Sequence, residues 1–150
     1  MGPEGAKALA PAIAANGGLT TIGKDGLNLK STQLGAEGWG AIIGAICGST
    51  VSKISSIDLS GERIGPEGAE LIGKALSTSV NGVLTILRLG DNPFGSEGYK
   101  HLSEGLRANT SLKELAFHNH YGNEEFKMGS AGAVFIADAL RVNGGLTKLE

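Results

Sequence analysis

The sequence predicts an α/β solenoid in which a short strand and a helix alternate in repeats of about thirty residues. Two observations lead to this fold class. A glycine-bounded quartet recurs five times along the 150 residues, and short alternating apolar segments separate the quartets. A chain of this length can bury its own core, so we expect a single domain that covers residues 1–150.

The quartets mark the beginnings of helices. Successive quartets are 33, 30, 30 and 34 residues apart, and apolar residues follow each one at helical spacing. Proline in the second place fits the first helical turn, and glutamate in the third place faces the positive helix end. We predict helix starts near residues 3, 36, 66, 96 and 130. The quartets occupy residues 2–5, 35–38, 65–68, 95–98 and 129–132.

Short segments with alternating apolar residues predict strands that have one buried face. A strand followed by a helix, repeated several times, requires parallel strands joined by crossover helices. The segments occupy residues 54–59, 84–89, 112–117 and, in shortened form, 146–149.

The strand before the second quartet has two alternative registers. Leu19 and Ile22 keep the three-residue step from Asn16 that follows the other helices, whereas Leu27 and Leu29 keep the five-residue step to Leu34. We favour Leu27 and Leu29.

The fourth repeat carries an insertion. Phe117 and Met128 are 11 residues apart, where the equivalent step in other repeats is five, and the extra segment is polar apart from two aromatic residues. We expect residues 118–127 to form a protruding loop, because polar insertions on a rigid scaffold lie at the surface. Tyr121 and Phe126 either contact a partner or attach the loop to the solenoid edge.

The pattern L-x-x-L-x-L-x-x-N, followed by a glycine-bounded helix, resembles the leucine-rich repeat. The repeat length and the segment I-G-P-E-G-A-E-L-I resemble the ribonuclease-inhibitor-like class. This resemblance implies a horseshoe of about four to five repeats, with a curved parallel sheet on the concave side and helices on the convex side. Only Asn92 clearly keeps the motif's asparagine, which Thr32 and Glu62 replace in earlier repeats. Neither end shows a polar cap, so we expect a fragment of a longer horseshoe.

Composition excludes several classes of protein. The 13 basic residues are scattered and the net charge is −2, so we expect no nucleic-acid partner. No segment approaches the roughly 20 continuous apolar residues that cross a bilayer, so we expect no membrane partner. The single Cys47 indicates a reducing, intracellular and specifically cytoplasmic setting, and we expect this thiol to be buried and inert.

Side chains between the buried leucines should face solvent on the concave sheet, because alternate strand residues point to opposite sides. This places Asn28, Asp58, Arg88 and Ala116 in one row. A mixed polar row is typical of a protein-binding surface; alternatively, Asp58 and Arg88 only pair with each other. The partner-binding candidates are Asn28, Asp58, Arg88, His118, Tyr121 and Phe126.

Two further sets of residues have a structural and a functional interpretation. His118 and His120, with Glu124 and Glu125, are the only cluster of metal-ligating types, but this spacing on a loop is more typical of a solvated segment, and we expect no metal. Trp39 and Tyr99 replace alanines of other repeats. They either form an exposed patch or, as we favour, cover the seam between helices.

No catalytic motif is present: the quartets lack the Lys-Ser/Thr of a phosphate loop, and no G-x-S-x-G or H-E-x-x-H occurs. We therefore expect no enzyme activity, no catalytic residues and no cofactor. The expected function is a non-catalytic scaffold that binds a protein through the concave face and the 118–127 loop. The family resemblance adds an activator of a small GTPase as an alternative, and a structural segment of a larger sensor as a further one. Uncapped ends also suggest self-association.

Overall fold

The computed structural model describes residues 1–80 and 82–150. Within these residues, five helices alternate with five strands. The helices are α1 (Gly2–Ala15), α2 (Gly35–Gly48), α3 (Pro66–Ser77), α4 (Gly95–Ala108) and α5 (Gly129–Val142). The strands are β1 (Thr21–Ile22), β2 (Ser56–Asp58), β3 (Ile86–Arg88), β4 (Glu114–Ala116) and β5 (Lys148–Leu149).

The structure explains why glycine occupies both the first and the fourth place of the quartet. The first glycine has a positive φ in four of the five quartets, for example 66° at Gly35 and 61° at Gly95, which side chains rarely tolerate. The second glycine allows neighbouring helices to approach, since a Cβ at Gly38 would lie 2.9 Å from the Cβ of Ala6. The helices therefore begin at the quartets, within one residue of the predicted positions.

The strands form one parallel sheet in the order β1-β2-β3-β4-β5. Each strand is joined to the next by one helix, as the alternation of segments predicts. In this register Ile57 lies beside Leu87, and Leu87 beside Leu115, so equivalent apolar residues of successive repeats are neighbours. All three are buried, and they pack with the inner faces of the helices into one continuous core.

The first strand corrects the favoured register. Ile22, and not Leu27, pairs with Ile57, so the strand is Thr21–Ile22. Leu27 instead returns to Ile22 and forms an isolated bridge with it. Its N–H donates to Thr21 O over 3.0 Å. Leu29 is then buried at 4% exposure. The pair Leu19 and Ile22 and the pair Leu27 and Leu29 therefore both pack in the core. This is possible because a turn at residues 23–26 takes up the additional chain length.

Trp39 and Tyr99 are packing residues, as favoured from the sequence. Their exposed fractions are 1% and 2%. Tyr99 makes edge-to-face contacts with Phe94 and Phe117, with ring centroids 5.6 and 5.4 Å apart. Such aromatic contacts stabilise a core beyond the area that they bury. Cys47 is buried as well.

Asn92 joins two repeats from inside the turn that follows β3. Its Nδ2 donates to Leu59 O and Leu89 O, each over 2.9 Å, and its Oδ1 accepts the N–H of Ile64 over 2.8 Å. Glu62, which stands at the equivalent place one repeat earlier, turns to the Trp39 indole instead. Asn92 therefore links two neighbouring repeats by hydrogen bonds, and Glu62 does not form the equivalent link in the repeat before it.

Across residues 1–80 and 82–150, no helix is long and apolar enough to cross a membrane.

Candidate functional site

A groove of about 460 Å³ lies on the sheet face that the helices leave open, near the carboxyl ends of the strands. Asp58 and Arg88 line its floor, and His118 and Tyr121 of the inserted loop line its wall. Four of the six predicted partner-binding residues therefore lie around one groove. The parallel register brings them together, because it sets the residues after equivalent leucines side by side.

Charges of opposite sign alternate across this face of the sheet, in the groove floor and at Glu114, which is not part of the groove lining. Lys30 Nζ lies 3.7 Å from Asp58 Oδ2, and Arg88 Nη2 donates to Glu114 Oε1 over 2.8 Å. Asp58 and Arg88 do lie opposite each other in the sheet register. Their ion-pair partners, however, are Lys30 and Glu114, so the alternative in which they pair only with each other is wrong. Arg88 keeps 40% of its side chain exposed and offers further N–H donors to the groove.

Asn28 does not lie in the predicted row. Because Ile22 pairs with Ile57, the residue beside Asp58 is Gly23, where a Cβ would lie 3.1 Å from the Cβ of Asp58. Asn28 follows the turn at residues 23–26, and its Oδ1 accepts the N–H of Lys30 over 3.0 Å. Asp58 Oδ1 makes the equivalent contact with Ser60. Asn28 therefore shapes the turn that presents Lys30.

Asp91 holds the inserted loop against the preceding repeat. Its carboxylate is 6% exposed, and its backbone is left-handed with φ 53°, a conformation that aspartate tolerates better than most residues. The N–H of Asp91 donates to His118 O over 3.0 Å. Sequence reasoning missed this role, although Asp91 directly precedes the motif asparagine, because its partner His120 is 29 residues away.

The loop continues from this attachment point to a short 3-10 helix, Glu124–Phe126. Asn119 closes the turn, since its Nδ2 donates to Asn123 O over 2.8 Å. Tyr121 lies at the tip with 81% of its surface exposed. Phe126 is partly buried in the 3-10 helix and does not line the groove. Tyr121 is therefore exposed beside the groove, whereas Phe126 lies outside the residues that line it.

The acidic residues of the loop have local partners. Glu124 pairs with Lys127, and Glu125 accepts a hydrogen bond from Asn123. The rings of His118 and His120 are 5.6 Å apart, and Nδ1 of His120 contacts Asp91. Within residues 1–80 and 82–150, no three side chains of metal-ligating type come together.

Comparison with known proteins agrees with this architecture. A family model described as leucine-rich repeat matches residues 80–103. The chain has a leucine-rich-repeat fold. The prediction of a leucine-rich-repeat solenoid of the ribonuclease-inhibitor-like class is confirmed by this match and by the solved structures that share the fold.

Among solved structures, 44 chains match this chain. Leiomodin-1 actin-binding site 2 superposes with a TM-score of 0.75 at 23% identity, covering 97% of this chain and 76% of that one. The tropomodulin C-terminal domain of Caenorhabditis elegans gives 0.70 at 18% identity, covering 97% and 80%. No curated protein matches this sequence significantly.

Proposed function

We propose that this leucine-rich-repeat chain is a non-catalytic module that binds a protein through its concave groove and the loop above it. The observation that carries the proposal is the convergence of Asp58, Arg88, His118 and Tyr121 on one groove. A rigid sheet supplies the floor and an anchored loop supplies the wall. Binding residues are commonly held in this way, on loops that a scaffold fixes in place.

The residue types suit protein recognition. Tyrosine and arginine are enriched among the residues that dominate the binding energy of interfaces. Tyr121 is 81% exposed, so its ring can be buried by a partner without any rearrangement of the core. Arg88 uses one N–H for Glu114 and keeps others for a partner. The alternating charges along the floor favour a partner of complementary pattern and disfavour others.

Actin is the first partner to assay. Leiomodin-1 actin-binding site 2 has the same fold over 97% of this chain. Identity of 23% supports a shared fold, so the partner itself has to be established by binding. Activation of a small GTPase and a structural role in a larger sensor stay predictions.

The experiment measures capture by the immobilised chain, first of purified actin and then of proteins from a lysate. Each captured protein is retested with Tyr121→Ala and Arg88→Glu. We expect either change to weaken capture by about thirtyfold or more, since loss of an interface anchor costs about 2 kcal/mol or more. Val80→Ala and Arg107→Ala change exposed residues outside the groove and serve as matched controls.

Circular dichroism confirms that the variants are folded. Equal capture by Tyr121→Ala, Arg88→Glu and the controls would remove the concave groove as the binding site.

A further inference from the structure

A second hollow, of about 630 Å³, adjoins the groove where the chain turns from strands to helices. It shares Lys30, Ser60, Gly61 and Tyr121 with the groove, so Tyr121 lines both. The rest of its lining comes from the turns before α2 and α3, including Gln33 and Arg63. Neither of these two residues was singled out by the sequence.

The lining of this hollow offers hydrogen-bond donors and positive charge. Lys30 and Arg63 are cationic, and Gln33 adds an amide. Among the described residues that line the hollow, Glu62 supplies the carboxylate, and it is partly buried. Its Oε2 accepts the Trp39 Nε1–H over 3.3 Å. The hollow is therefore complementary to negative charge, unlike the mixed floor of the groove.

Arg63 is exposed and has no hydrogen bond or ion pair with any other described residue. All five N–H donors of its guanidinium are therefore available, in a fork that matches a carboxylate. Lys30 is held only loosely, 3.7 Å from Asp58.

The left-handed backbone conformation at position 63 is energetically unfavourable for an arginine. Its φ is 56°, and Gln33 at the equivalent place in the preceding repeat has φ 55°. Glycine adopts this conformation without strain, whereas a long side chain does not. Two residues before Arg63 the chain does use glycine in a left-handed conformation, since Gly61 has φ 75°. An arginine that strains the turn and contacts nothing within the described chain is best explained by a contact outside it.

We propose that the hollow binds an acidic segment of the protein partner, with aspartate or glutamate carboxylates seated on Arg63 and Lys30 beneath Tyr121. The inference rests on the proposed function, because Tyr121 would contact the same partner in both hollows. A peptide fits better than a nucleic acid. A phosphate backbone needs many cations to bind, and the lining of the hollow supplies two, Lys30 and Arg63.

The test is an NMR titration of the whole chain with a hexaglutamate peptide, followed through backbone amides of the turns at residues 30–35 and 60–65. Arg63→Gly removes the guanidinium and relieves the strain at once. We expect its affinity to fall about tenfold, as for loss of one charge-assisted pair, while its Tm is equal to or above that of the parent chain. Arg107→Ala removes an exposed arginine elsewhere and should retain binding.

Three results would overturn the inference: no saturable shift with hexaglutamate, equal affinity in Arg63→Gly and the parent chain, or an equal loss in Arg107→Ala. A dT12 oligonucleotide that binds more tightly than hexaglutamate, with the same dependence on Arg63, would replace the acidic peptide by nucleic acid. If Tyr121→Ala loses the captured protein while Arg63→Gly keeps both that protein and hexaglutamate, the proposed function stands and this inference fails.

Discussion

The carboxylate of Asp91 contacts His120 twice: Oδ1 accepts the backbone N–H over 2.8 Å, and Oδ2 lies 2.8 Å from Nδ1. Asp91→Gly removes both contacts and keeps the left-handed turn, so we expect the inserted loop to open and Tyr121 to become sensitive to chymotrypsin. The measurement is limited proteolysis with mass spectrometry. Asp91→Asn, which keeps an acceptor for the backbone N–H, should be cut more slowly; equal cutting of all three proteins would contradict this role.

Removal of the Asn92 side chain should destabilise the fold strongly. Asn92→Ala leaves the N–H of Ile64 and the carbonyls of Leu59 and Leu89 without their partner in a buried site. Each unsatisfied buried group costs about 1–3 kcal/mol, so we expect a loss of about 3 kcal/mol or more. Urea unfolding measures it. Asn28→Ala loses one exposed contact and should cost less than about 1 kcal/mol.

Two glycine substitutions in helices should have opposite effects. A Cβ at Gly105 would lie 2.5 Å from Gly73 O, so Gly105→Ala forces α3 and α4 apart and should destabilise the chain by about 1–3 kcal/mol. At Gly44 on α2 no atom lies within 4 Å of the added Cβ. Gly44→Ala should therefore stabilise by up to about 1 kcal/mol through helix propensity. A loss at Gly44, or no change at Gly105, in thermal unfolding would argue against the packing of these helices.

Glu62 should make stability fall as pH rises through the mildly acidic range. Burial raises the pKa of its carboxyl above the ordinary 4.5, and the Trp39 hydrogen bond opposes this in part. Since the folded-state pKa exceeds the unfolded one, the group favours folding when protonated. That contribution is full below about pH 4.5 and is lost as pH rises through the folded pKa. Glu62→Gln should flatten this part of the stability profile in urea titrations at several pH values, whereas the exposed Glu67→Gln should leave it unchanged.

Cys47 should resist alkylation in the native chain. Burial raises the pKa of its thiol to about 11, so little thiolate exists at pH 8 and reagents have no access. We expect iodoacetamide to modify Cys47 at the rate of global unfolding, and rapidly in urea. Fast labelling of the folded protein would show that α2 opens locally.

Local patterns predicted the features that depend on local chemistry. Helix starts follow from proline and glycine at fixed places, and the buried rows that contain Ile57 and Leu87 follow from period-two alternation. The same alternation placed Asp58 beside Arg88. These relations hold because each repeat copies the geometry of the one before it.

Features that depend on contacts between distant residues were not accessible in this way. The register of β1 required knowledge that Leu27 returns to Ile22, which spacing alone does not show. Arg88 selects Glu114 over Asp58 because of side-chain geometry across three strands. Asp91 anchors the inserted loop only through its contact with His120, and the hollow around Arg63 is formed by turns from two repeats.

The turn at residues 23–26 suggests a use in protein engineering. Gly23 N–H donates to Leu27 O over 3.0 Å, so both ends of this excursion are bonded to each other while Ile22 and Leu29 stay in the core. A foreign peptide inserted between Lys24 and Asp25 would leave that closure and the sheet register intact, because loop length adds little to the free energy of closing a loop. The solenoid thus has a natural grafting point, next to a groove that a displayed sequence could be selected to fill.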